Sequence, residues 1–127
     1  MPLPITLLYG GLTILFVTLL GANVTRLRIL RRVGVDQPIP DDLRRPVRAH
    51  GNASEWVPLG LLLLLILEAS GLGSVPLHLL GGLFLLGRVL HAAGTYTRSP
   101  WSVVGAGLNY ALLFAMSFWA IALHFAR

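Results

Sequence analysis

The feature that most constrains this chain is Leu59 to Leu67, a run interrupted only by Gly60 and Ile66. It is one of four apolar stretches. The others are Leu3 to Val24, the segment that follows Pro76, and the segment that follows Trp101. A helix needs about 20 apolar residues to cross the hydrocarbon of a bilayer, and inside that layer every backbone polar group must find its partner within the chain. Four such stretches therefore predict an all-α, integral membrane four-helix bundle. The expected helices run over about 3–32, 43–69, 76–97 and 102–125, in a single domain filling the 127 residues. Charged residues make up only 12% and mean hydropathy is +0.75, which excludes an ordinary soluble domain. A signal peptide fits the first run poorly, because no basic residue precedes it.

The charge is strongly basic, and all of it is arginine. Arg26, Arg28, Arg31 and Arg32 collar the end of the first run, Arg44, Arg45 and Arg48 open the second, and Arg98 sits in the third connection. Membrane topology accounts for this pattern, and a nucleic-acid binder would need a soluble basic face that the chain lacks. By the positive-inside rule the first and third connections face the cytoplasm, with both termini and the turn around Gly71 outside. The chain has no cysteine, so disulfides, thiolate metal sites and a cysteine nucleophile are excluded; no metal site is expected.

The second helix departs from lipid chemistry in its first half. Arg48, Asn52 and Glu55 stand at i, i+4 and i+7, which puts a cation, an amide and an anion on one face over about two turns. Such groups face a bundle interior or a water-filled cavity. Two readings stand side by side. One is a structural polar ladder, with Asn52 bridging Arg48 and Glu55. The other is a pocket for a small zwitterion: Arg48 for a carboxylate, Glu55 for an ammonium, Asn52 for a peptide group. Pro58 is expected to kink the helix, and Glu68 at its far end reads as an interfacial charge.

In the third helix Arg88 follows a purely apolar stretch and needs a partner; Glu55, in the same protomer or a neighbour, is the expected carboxylate, making Arg88 a structural counter-ion. His91 and Thr95 share its face. In the fourth helix Gly107, Ala111 and Ala115 form a small-residue stripe suited to a close helix contact, and Asn109 and Tyr110 are the strongly polar groups of its first half.

The run Arg48-Ala49-His50-Gly51-Asn52-Ala53-Ser54-Glu55-Trp56-Val57-Pro58 resembles the signature of the MAPEG family, membrane-associated proteins in eicosanoid and glutathione metabolism. Its pattern of arginine, asparagine, glutamate, aromatic and proline is matched at Arg48, Asn52, Glu55, Trp56 and Pro58. Thr25-Arg26-Leu27-Arg28 is similar to the end of the family's first helix, and Gly87 to Tyr96 to the end of its third. The likeness covers essentially the whole chain and is greatest to short bacterial members. It implies a homotrimer in a bacterial inner membrane. It also implies glutathione as co-substrate, bound between protomers near the cytoplasmic side by Arg48, Asn52 and Glu55, with Arg26 or Arg28 on its carboxylates. Trp56 stands where the family places a tyrosine, and His91 where another would lie. The thiol-activating candidates implied at the end of helix three are Arg98 and Tyr96.

Three functions follow from these readings. The first is a glutathione transferase or peroxidase acting in detoxification on hydrophobic electrophiles dissolved in the lipid. The second is a non-catalytic glutathione- or lipid-binding regulatory module. The third is a small four-helix transporter, which ranks last because Glu55, the one deep carboxylate, is flanked by Arg48 and the first helix has no acid.

Overall fold

The computed structural model describes residues 2–126; Met1 and Arg127 lie outside the described residues. Four helices account for nearly all of it: α1 (Pro4–Arg31), α2 (Asp41–Ala69), α3 (Ser74–Thr97) and α4 (Trp101–Phe125). All four are long and apolar enough to cross a membrane. The protein is an integral membrane four-helix bundle without strands among the described residues.

Short connections make sequential helices antiparallel neighbours. α2 and α3 form the central pair; α1 packs against both on one side and α4 against both on the other, and α1 and α4 do not touch. The core is a strip of aliphatic and aromatic side chains, among them Ile5, Val57, Leu64, Leu67, Leu77, Phe84 and Met116. Many other leucines, such as Leu7, Leu62 and Leu79, are exposed on the protomer and suit contact with lipid. α2 is a continuous helix through both Pro46 and Pro58, although Pro58 withholds the hydrogen bond that would close on the Ser54 carbonyl.

Polar ties fix the helix ends. Glu68 is more than an interfacial charge. α1 has no side-chain cap of its own, and the Glu68 carboxylate accepts the backbone N–H of Ile5 at 2.9 Å and of Thr6 at 2.6 Å. An anion from α2 thus satisfies the orphan donors and the positive dipole end of α1. Nearby, Tyr9 meets His78 Nδ1 at 3.2 Å and lays its ring over Gly81. At the arginine-rich end, Arg31 pairs with Asp42 at 2.6 Å and ties the close of α1 to the start of α2.

The tightest contact joins α3 to α4. Gly94 lies against the backbone of Ser102, where a Cβ would overlap the Ser102 nitrogen and Cα. The small-residue stripe of α4 behaves differently from expectation. Gly107, Ala111 and Ala115 face outward, and α4 instead buries Gly105, Asn109, Leu112 and Met116. Both sets have helical spacing, and the buried set wins because it carries the one asparagine that α3 can satisfy.

Candidate functional site

The site is assembled around Arg88, which is 2% exposed at mid-bundle. Its Nε donates to Asn109 Oδ1 at 2.7 Å, and its Nη1 donates to Asn52 Oδ1 at 2.8 Å. Asn109 is fully buried and uses its Nδ2 to donate to the Phe84 carbonyl at 3.0 Å. Gly87 makes room for it: a Cβ there would come within 2.6 Å of Asn109 Oδ1. The guanidinium also lies over the Trp56 ring, 5.5 Å from its centre, and Trp56 meets Tyr110 edge to face at 4.3 Å. Three helices therefore converge on one cation. Within the protomer it is met by two neutral carboxamides and an aromatic face, not by the carboxylate of Glu55.

Helix geometry explains why Glu55 does not reach it. Residues turn by about 100° each, so Asn52 and Trp56 lie about 40° apart on α2, whereas Arg48 and Glu55 swing about 40–60° to the other side of Asn52. Asn52 and Trp56 turn toward α3 and α4; Arg48 and Glu55 turn outward. The result is a groove of about 210 Å³ lined by Val47, Arg48, Gly51, Asn52 and Glu55. Arg48 and Glu55 are exposed in the protomer and make no hydrogen bond or ion pair among the described residues. Asn52 does not bridge them; its oxygen is taken by Arg88. A second groove of about 230 Å³ is lined by Trp56, the ring under the Arg88 guanidinium, with Leu59, Tyr110, Leu113, Phe114 and Ser117. It is apolar and aromatic where the first is charged.

The other candidates lie off the charged groove. His91 offers Nδ1 to the Ser102 carbonyl at 2.8 Å and so ties α3 to the start of α4. A carbonyl can only accept, so this nitrogen carries the proton. Arg26 donates to Asn23 Oδ1 at 3.0 Å, and Arg28 donates to the Gly34 carbonyl at 3.3 Å. Tyr96 accepts a hydrogen bond from Asn23 Nδ2 at 2.9 Å on the α1 side of the bundle. Arg98 is the exposed, left-handed residue that ends α3, with φ of 59°. Sequence reasoning attached no role to Asn109 or Asn23. The signal available for Asn109 was a lone amide in an apolar span at the register of Gly105 and Leu112.

The MAPEG family model matches residues 6–122. Two proteins of Escherichia coli, each named Inner membrane protein YecN, from strain K12 and from strain O6:H1, are similar to the chain. Each is 30% identical over 113 residues, which spans 88% of this chain and 86% of the relative.

Proposed function

The chain belongs to the MAPEG family, and from that premise we propose that it binds glutathione in the charged groove of α2 and transfers it to hydrophobic electrophiles, or uses it to reduce hydroperoxides. The observation that carries this reading is the pair Arg48 and Glu55, opposite charges on an apolar bundle whose side chains find no partner among the described residues. They stand seven residues apart, about 10 Å along the axis. That is the reach of about three extended residues, so a bound tripeptide would set a carboxylate at one end and its ammonium at the other. Asn52 lies between them. Arg26 and Arg28 would meet the remaining carboxylate from a neighbouring copy in a homotrimer, and the aromatic groove beside Trp56 would take the electrophile from the lipid. The arginine distribution supports a groove open to the cytoplasm in a bacterial inner membrane, with both termini on the other side.

The second reading is a regulatory module that binds without turnover. It is favoured by the placement of Arg98 and Tyr96, neither of which lines the charged groove. The two readings share the binding step. Arg48→Ala and Glu55→Gln should each weaken glutathione binding by at least about tenfold, or about 1.4 kcal/mol, with unchanged helicity and detergent-stable oligomer. Unaltered affinity in both variants would remove the groove from consideration. Turnover of a lipophilic electrophile by the wild type would separate transferase from module.

A further inference from the structure

We propose that the outward groove between α1 and α2 binds a monohydroxylated lipophile from the membrane, an apolar chain carrying one O–H, and that the Ser54 carbonyl freed by Pro58 accepts that hydrogen. The site is separate from the charged and aromatic grooves, and the proposal does not depend on glutathione.

The groove has a volume of about 210 Å³ and is lined by Ile14, Val17 and Thr18 of α1 and by Ser54, Val57 and Pro58 of α2. Its walls are hydrocarbon apart from the oxygens of Ser54 and Thr18. In an unbroken ladder the N–H of residue 58 would close on the Ser54 carbonyl, but residue 58 is proline and has none. Both residues line the groove, so the acceptor lies on its wall. The two hydroxyls have already committed their protons. Ser54 Oγ donates to the His50 carbonyl at 2.9 Å, and Thr18 Oγ1 donates to the Ile14 carbonyl at 2.8 Å. His50 Nε2 comes within 3.4 Å of Ser54 Oγ, yet its ring is packed against Gly21 and does not line the groove. No side chain among the described residues donates to the Ser54 carbonyl.

Depth decides the chemistry. Ser54 and Pro58 stand six and ten residues beyond Arg48, about 9 and 15 Å further along the axis from the basic collar. Pro58 adjoins the leucine run. Hydrocarbon holds no water for a freed carbonyl, and in membrane helices a neighbouring helix or hydroxyl normally supplies the donor. Here the facing helix offers Ile14, Val17 and a threonine whose proton is spent. The wall therefore presents acceptors and lacks a donor, which selects an alcohol over an ether of the same shape. A phospholipid headgroup carries its hydroxyls at the interface, too shallow to reach. The O–H must be borne by the hydrocarbon itself, as in a long-chain alcohol or a hydroxylated acyl chain. Thr18 and Ser54 are exposed on the protomer, so such a molecule enters sideways from the lipid.

The test compares two photoactivatable probes on the purified full chain in detergent: hexadecanol with a diazirine on its chain, and the methyl ether of the same molecule. Adducts are located by mass spectrometry of peptides. In wild type the alcohol should label residues 14–18 and 54–58 saturably. It should do so at least about threefold more than the ether, the ratio given by one hydrogen bond of about 0.6 kcal/mol in a membrane. Pro58→Ala returns an N–H to the Ser54 carbonyl and removes a helix breaker, so the alcohol should lose its advantage over the ether. Thr18→Leu fills the groove and should abolish labelling there by both probes. Should Pro58→Ala not fold, the wild-type ratio and Thr18→Leu decide. Equal or unsaturable labelling by alcohol and ether in wild type overturns the proposal, as does labelling confined to other segments. An unchanged preference in folded Pro58→Ala, or undiminished labelling in Thr18→Leu, overturns it as well.

Discussion

Replacing Asn109 with alanine isolates the interaction on which the centre of the bundle depends. Asn109 is fully buried and holds Arg88 Nε on one side and the Phe84 carbonyl on the other. Interhelical hydrogen bonds between neutral groups in membrane proteins average about 0.6 kcal/mol and reach about 1.7. The Arg88 bond is different, because its donor is charged and has no water to fall back on; losing such an acceptor costs about 1.5–3 kcal/mol. The Phe84 carbonyl is already within a helical ladder, so its loss adds little. Removing the amide also leaves a void between α3 and α4, with a further cost of about 1 kcal/mol. The expected total is about 3 kcal/mol. It should be measured by unfolding in mixed detergent and dodecyl sulfate micelles, followed by helical circular dichroism. Asn52→Ala should cost less, since Asn52 is partly exposed. A loss below about 1 kcal/mol for Asn109→Ala, or a larger loss at Asn52, would refute the description of Arg88 as a buried cation held mainly from α4.

Other substitutions probe the helix ends. Glu68→Gln should cost about 1 kcal/mol and raise hydrogen exchange in the first turn of α1 only, because it keeps the shape of the cap and removes its charge. Gly94→Ala should prevent assembly of a stable α3–α4 pair, seen as failure to recover folded protein in mild detergent, because a methyl has no space beside Ser102. Arg31→Ala should change stability by less than about 1 kcal/mol, since both partners of the Arg31–Asp42 pair are about half exposed; a larger effect would mean that the first connection is more rigid than its exposure implies.

Much of this architecture is legible in the sequence, for a physical reason. Hydrocarbon admits few backbone solutions, so apolar length alone yields four helices. The spacing of Arg48, Asn52 and Glu55 likewise places them on neighbouring faces. What spacing could not tell was how that face divides. A rotation of about 60° sends Glu55 outward and Asn52 inward, and only the position of α3 fixes which goes where. Arg88 was matched to Glu55 because charge seeks charge. The structure supplies two carboxamides instead, Asn52 from α2 and Asn109 from α4. The choice between the Gly105–Asn109 face and the Gly107–Ala111 face of α4 was hidden for a related reason. In lipid an apolar side chain can face either way, so hydropathy alone does not distinguish inside from outside. Glu68 was misjudged because its partners are backbone N–H groups of α1, which leave no trace in side-chain patterns.

The most direct test of the central claim is a calorimetric titration of the purified, detergent-solubilised protein with glutathione, repeated with Arg48→Ala. The account predicts saturable binding at or below millimolar glutathione that is weakened at least about tenfold, 1.4 kcal/mol, in the variant. No binding by a folded wild-type protein at millimolar glutathione would contradict it and leave the charged groove without the ligand assigned to it.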